Sequence, residues 1–453
     1  VIRGGFGRFV QADYIAGGQN GFSRSTSLVA TQDNFLTPYD TLANPFHSGV
    51  LPPTGSTLGP LTNLGQGVNW DNPNLNRPYS WEYSFHIQQQ YKNWLFEIGY
   101  SHNKTYDISW GWNENEPSFT SWKQLQTPTF DATGKPQATL NWNLQVPNPF
   151  YQLPGVTGSL VSTKTIALNQ LLNPIPILGS ITENNPTGKN QYDAGLGKVE
   201  RRFSKGFSIL GAFTWSKLFE DTAFLGPQIA GPVVEHKLGG EDRPFHLSIS
   251  PIWELPFGHG KPIGTNMSRF WDALAGGWEL TGNYNVQSGV PVVFGNAAFF
   301  TGKDFSLPHD KQSLNEWFDT TQFVPFPNAN TNISSYPAWS GIQNLPGYSY
   351  VPQPGDSIKN GVYQDFANYV QRYPTRWNDV RASRVNEANI GLYKNFRITE
   401  SSRLQLRFDV FNAFNHPRFG APDTNPSDST FGRVTGSQQN QARSVELGAR
   451  LSF

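Results

Sequence analysis

The last eleven residues, Arg443-Ser444-Val445-Glu446-Leu447-Gly448-Ala449-Arg450-Leu451-Ser452-Phe453, alternate between apolar and polar side chains and stop on an aromatic. Successive side chains of a β-strand face opposite sides of the sheet. Val445, Leu447, Ala449, Leu451 and Phe453 therefore share one face, and Ser444, Glu446, Gly448, Arg450 and Ser452 share the other. One half-buried strand of a water-soluble sheet satisfies such a pattern. A membrane β-barrel satisfies it with the usual rule inverted: apolar residues face lipid, polar ones line the interior, and the chain closes on an aromatic-ended strand.

The same alternation recurs along the chain. It is strong at residues 81–91, 94–101, 207–216, 245–254, 278–287 and 403–410, and weaker at 1–10, 192–203 and 388–396. With the terminal strand this predicts about ten strands, each near the ~9–11 residues that cross a bilayer at a tilt. The polar faces repeatedly carry Glu, His, Arg and Gln, which favours a membrane wall over a soluble sheet.

The connections sort by length. Short turns are expected at Lys92-Asn93, at Ser204-Lys205-Gly206 and over 398–402, and a medium connection over 258–276 with a short helix at 268–274. Long excursions are expected over 11–80, 102–191, 218–243, 288–387 and 413–442, with a small helix at 311–318. Short and long alternate, so all short turns and the C-terminus fall at one end of the sheet and all long loops at the other. Outer-membrane barrels have this asymmetry, short turns on the periplasmic side and long loops outside.

Composition agrees. Aromatic residues are 14% of the 453, enough for girdles at both interfaces. Lysine plus arginine and aspartate plus glutamate each number 34, so no basic surface points to nucleic acid. Cysteine is absent, which fits passage through an oxidising periplasm. No run of about 18 apolar residues marks a transmembrane helix; the nearest, 166–178, is broken by Pro174 and Pro176. The chain opens on a strand-like segment with no signal peptide, so the start of the natural protein is expected upstream of Val1.

Several phrases resemble the C-terminal part of Oar-like TonB-dependent outer-membrane receptors, abundant in acidobacteria and related groups. They include Arg3-Gly4-Gly5-Phe6-Gly7, the hairpin from Lys198 to Lys205-Gly206 running into Phe213-Thr214-Trp215-Ser216-Lys217, and Asp242-Arg243-Pro244-Phe245-His246. Glu254-Leu255-Pro256-Phe257-Gly258, Gly276-Gly277-Trp278-Glu279-Leu280, Trp317-Phe318-Asp319-Thr320, Lys394-Asn395-Phe396-Arg397-Ile398 and Phe408-Asp409-Val410-Phe411-Asn412 follow in order, before the terminal strand. The resemblance implies a barrel of about 22 strands with an N-terminal plug, of which residues 1–453 supply the C-terminal portion. Family members begin with a signal peptide, often a β-sandwich, then a TonB box and the plug, and none of these is in this sequence. The implied function is capture and uptake of a scarce solute, such as a carbohydrate or siderophore. The implied partners are outer-membrane lipid, a periplasmic TonB-type energy transducer reached through the plug, and the barrel-assembly machinery, which reads Phe453. A small barrel serving as adhesin or scaffold is the alternative.

No phosphate-binding loop, nucleophile elbow or His-Glu-x-x-His motif occurs, so no enzyme, metal or cofactor is expected. Asp423-Thr424-Asn425 with Asp428 reads as turn chemistry rather than a calcium loop. Candidate lumen residues are Glu82, His86, Glu97, Glu279, Arg403, Arg407, Asp409, Glu446 and Arg450. Glu82 and His86 share a face about 13 Å apart, so each needs a partner on a neighbouring strand. Arg403, Arg407 and Asp409 are expected on a strand beside Glu446 and Arg450, where they either form cross-strand salt bridges on the inner wall, the favoured reading, or contact a plug or a passing solute. Trp110, Trp112, Trp122, Trp317, Trp339 and Trp377 are loop aromatics able to stack on a ligand or to pack the loops together, with packing favoured.

Overall fold

The structure, a computed structural model, describes residues 1–12, 25–72, 76–118, 120–121, 144–156, 158–225, 233–325, 373–399 and 401–453. The first half carries β1 (Ile2–Val10), β2 (Val68–Asp71), β3 (Tyr79–Tyr91), β4 (Trp94–Asn113), β5 (Gln145–Pro147), β6 (Thr165–Ala167), β7 (Ile181–Ser204), β8 (Phe207–Asp221) and β9 (Lys237–Leu238). The second carries β10 (Phe245–Glu254), β11 (Trp278–Gln287), β12 (Pro291–Val293), β13 (Ala298–Phe300), β14 (Phe323–Pro325), β15 (Arg376–Arg381), β16 (Val385–Arg397), β17 (Arg403–Phe411) and β18 (Ser444–Ser452). All ten strands expected from the alternation are present. They pair as neighbours in the order β1-β3-β4-β7-β8-β10-β11-β16-β17-β18, every pair antiparallel.

Residues directly across a ladder share a face, so the register propagates one apolar and one polar surface through the sheet. Ile98 sits across from Ile87, Phe213 from Leu247, Leu280 from Leu392, and Phe408 from both Leu392 and Leu447. At the short-turn end the apolar face carries a row of aromatics: Tyr91 beside Trp94, Phe207 beside Trp253, then Trp278 and Phe396. Among the described residues no helix is long and apolar enough to cross a membrane.

The hairpin turns follow from local chemistry. Lys205 and Gly206 both take positive φ, 51° and 78°, the two-residue geometry whose twist matches the flanking strands. A helix, Arg269–Ala275, fills the connection between β10 and β11, as the sequence predicts. The long connections all leave from the opposite end.

Two expectations need correction. β4 and β7 run 20 and 24 residues, so 102–113 and 181–191 belong to strands rather than to the loop over 102–191. On β7 the stretch 182–191 is polar on both faces and carries no alternation, whereas on β4 Tyr106, Ile108, Trp110 and Trp112 alternate with Asp107, Ser109, Gly111 and Asn113 beyond a polar run at 102–105. This upper hairpin contains register shifts around Ile108, next to Asp107 at φ 57°, and β2 adds a parallel pairing to β7. Residues 311–318 form turns, not a helix, with a Ser313–Glu316 bridge and Trp317 donating its backbone N–H to Gly432.

Candidate functional site

The polar face gathers two networks. In the first, Glu97 on β4 accepts from Arg3 at 3.3 Å and from Gln88 at 3.5 Å, and lies 3.0 Å from His86 Nδ1. His86 thus comes within ion-pair distance of a carboxylate on β4, although its Nδ1 makes no aligned hydrogen bond there. Glu82 accepts from Asn103 at 2.8 Å. In the second, Arg407 donates to the Tyr393 hydroxyl at 2.7 Å, and that hydroxyl donates to Asp409 at 3.0 Å. Glu279 lies across from Tyr393 on one side and Glu254 on the other.

Here the expected cross-strand salt bridges do not form. β17 does pair with β18, but Asp409 faces Glu446, Arg407 faces Gly448 and Arg450 faces Gln405. Register sets like charges opposite each other, and Arg407 turns instead to β16. Arg403, Glu446 and Arg450 make no side-chain hydrogen bond or ion pair among the described residues. Phe453 follows β18 and is 96% exposed.

At the long-loop end, segments 288–325, 373–384 and 412–443 build their own core. Val292, Phe294, Ala298, Phe305, Phe318, Phe323, Tyr373 and Val380 are buried together, with Phe300, Trp317, Trp377 and Phe431 packed against them. Phe294 stacks on Phe323 at 5.4 Å and meets Trp377 edge-on at 5.0 Å. Tyr373 donates to the Gly295 carbonyl at 2.7 Å, and burial pushes its phenol up to about 12.

The loop aromatics thus divide. Trp317 and Trp377 pack, Trp317 also donating from Nε1 to the Arg381 carbonyl at 2.7 Å. Trp110 and Trp112 are not loop residues: they sit on the upper part of β4 and clasp Phe224 at 4.7 and 5.2 Å. Trp122 and Trp339 lie outside the described residues. Asp423 accepts the backbone N–H of Asn425 at 2.9 Å and the Thr430 hydroxyl at 2.6 Å, the turn chemistry expected there.

Two ion pairs and a buried, hydrogen-bonded carboxylate fasten this loop core to the strands, and sequence reasoning missed them. Asp242, fully buried, accepts from Arg381 at 2.6 Å and from the Leu218 backbone N–H at 2.7 Å. Arg376 donates to Glu220 at 2.5 Å and to the Leu238 carbonyl at 2.7 Å. Glu235 accepts twice from Thr375, at 2.7 and 2.8 Å. Asp242 was visible in the phrase Asp242-Arg243-Pro244, but its partner lies 139 positions away, beyond any local pattern.

Beside this fastening a cavity of about 400 Å³ opens, lined by Trp317, Arg384, Asn386, Glu387, His416 and Arg418 among others. Asn386 Oδ1 and Arg418 Nε are buried there without a hydrogen-bond partner among the described residues. Buried polar atoms are ordinarily satisfied, so these two can accept and donate to a bound water or polar ligand. Among the described residues no cluster of three His, Asp or Glu side chains is arranged to hold a metal ion.

An antiparallel wall with one apolar and one polar face, short turns at one end and long loops at the other defines an integral outer-membrane β-barrel protein. The chain belongs to the outer membrane beta barrel domain family, which it matches over residues 1–446. No curated protein matches it. Among solved structures it is similar to the outer membrane transporter YddB from Escherichia coli, at 10% identity and a TM-score of 0.38 over 86% of this chain and 34% of that one. It is also similar to the copper transporter OprC (7% identity, TM-score 0.32, 84% of this chain and 33% of that one). A third is the ferric-catecholate import receptor Fiu from E. coli K12 (6%, 0.33, 84% and 28%). The chain spans a third or less of the length of the last two and 34% of the first.

Proposed function

We propose that this chain is the barrel part of an Oar-like TonB-dependent receptor that takes up a scarce solute, such as a carbohydrate or siderophore, across the outer membrane. In this reading the apolar face meets lipid and the polar face lines the lumen, so Glu97, His86, Arg407 and Asp409 lie along the solute's path. The long loops capture the solute outside. A periplasmic TonB-type transducer then opens the lumen by pulling on a plug domain, and Phe453 serves recognition by the assembly machinery.

The observation that carries the reading is the cavity at the long-loop end. It holds unpaired polar atoms of Asn386 and Arg418 at the mouth of a wall whose polar face carries charged networks. A rigid aromatic core in the loops also suits a second reading, a surface adhesin or scaffold.

Uptake of radiolabelled oligosaccharides and ferric siderophores by cells lacking the gene, and by cells lacking the transducer, separates the two. The receptor reading expects one solute class to be lost equally in both strains. Unchanged uptake of every class, with cell attachment lost only in the gene deletion, supports the scaffold.

A further inference from the structure

The helix Arg269–Ala275 exposes Phe270, Trp271 and Leu274 at 67, 60 and 54%. Seven residues are too few for a helix to persist alone in water, and this one is held by the wall. Trp278 donates from Nε1 to the Leu274 carbonyl at 2.9 Å, and Lys394 Nζ donates to the Gly276 carbonyl. Asp272 accepts the His259 backbone N–H at 2.6 Å. Trp278 and Lys394 are paired in register on the apolar face, so the helix is anchored on that face and at its short-turn end. Behind it runs a groove of about 410 Å³ lined by Phe270, Leu274, Trp278, Leu392, Leu406 and Phe408 among others.

We infer that this helix lies in the periplasmic leaflet of the outer membrane and that the groove seats an acyl chain of a glycerophospholipid. The inference rests on the barrel reading, because it needs the apolar face to meet lipid. Three observations select lipid as the occupant. The groove is continuous with the apolar wall through Leu392, Leu406 and Phe408. The helix sits at the level of the aromatic row of Trp94, Trp253 and Trp278, where tryptophan marks a membrane interface. Arg269 opens the helix, exposed and without a side-chain partner among the described residues, next to Phe270 and Trp271. A cation beside exposed aromatics on a short in-plane helix matches a phosphate headgroup above acyl chains.

The chain has no cysteine, so single thiols can be placed cleanly. Trp271→Cys, Ile98→Cys in the middle of the apolar face and Asn266→Cys in the same connection are spin-labelled. Each protein is reconstituted in phosphatidylethanolamine–phosphatidylglycerol vesicles, and collision with oxygen and with a water-soluble nickel chelate is measured. The inference expects positions 271 and 98 to favour oxygen several-fold and position 266 to favour nickel. A label at 271 that tracks 266 while 98 stays in lipid overturns the inference and leaves the barrel reading standing; nickel access at 98 overturns both. Spin–spin broadening at 271 makes a second copy of the chain the occupant and overturns lipid. Native mass spectrometry tests the seat itself: the wild type should retain one more phospholipid than Leu274→Ser, and equal retention overturns the acyl site.

Discussion

Removing the Arg381 guanidinium should loosen the extracellular loop core while leaving the strands intact. Arg381 donates from Nε to the Asn378 carbonyl at 2.7 Å, from Nη1 to the Asp242 and Gly289 carbonyls at 2.8 and 3.2 Å, and from Nη2 to the Asp242 carboxylate at 2.6 Å. Its side chain is 13% exposed and that of Asp242 is 0% exposed. Arg381→Ala would leave that carboxylate buried with the Leu218 N–H and, at 3.7 Å, the Lys217 ammonium. Breaking a buried pair from one side costs about 3–5 kcal/mol. At about 1.4 kcal/mol per decade, that is roughly a hundred- to several-thousand-fold faster opening. The assay is amide hydrogen exchange across 288–325 and 373–384 in detergent-solubilised protein, with β10 and β11 as internal reference. Exchange in the loops should rise by that factor while the reference strands hold. Because the two residues share one interaction, Asp242→Ala combined with Arg381→Ala should cost less than the sum of the single changes. Unchanged loop protection in Arg381→Ala would refute the reasoning, since it would mean the pair holds nothing.

Phe294→Ala removes the ring at the centre of the loop core, 1% exposed, and should destabilise that unit by about 3–5 kcal/mol; limited proteolysis of the loops should show it. The Tyr373 phenol, pushed up to about 12 by burial, gives a pH dependence. Its ionisable form is neutral in the folded core, so the stabilisation is complete below the ordinary tyrosine value near 10 and is lost as pH rises from 10 to 12. Tyr373→Phe should flatten the alkaline loss of loop protection in that window. Gly391→Ala would bring a methyl group within 2.6 Å of Thr281 Oγ1 and 2.8 Å of Asp409 Oδ1. It should displace Asp409 from Tyr393 and lower the temperature at which the heat-modifiable barrel band is lost on a gel.

The wall was legible because each of its strands faces two different environments. Leu404, Leu406, Phe408 and Val410 alternate with Arg403, Gln405, Arg407 and Asp409, and one residue of slip would reverse every one of them. The upper end of β7 was illegible for the same reason reversed, since 182–191 is polar on both faces; that of β4 alternates from Tyr106 to Asn113, but the polar run at 102–105 before it masks the strand's continuity. The helix at 311–318 failed because Trp317 and Phe318 are drawn into an aromatic core assembled from distant segments, which overrides local preference. Of the site, the polar-face residues could be listed from parity, but not their partners. Arg3 and His86 converge on Glu97 across three strands, and Arg407 chooses Tyr393 over Glu446. The cavity at Arg418 and Asn386 is lined by segments running from Ser288 to Asn440, and nothing in any one of them announces the others.

The central claim is that one face of this sheet meets lipid and the other an aqueous lumen. Single cysteines placed at each position from 403 to 410 of β17, in protein embedded in the outer membrane, test it with a charged, membrane-impermeant thiol reagent. The account predicts reaction at 403, 405, 407 and 409 and protection at 404, 406, 408 and 410. Uniform reactivity, or alternation in the opposite phase, would contradict it.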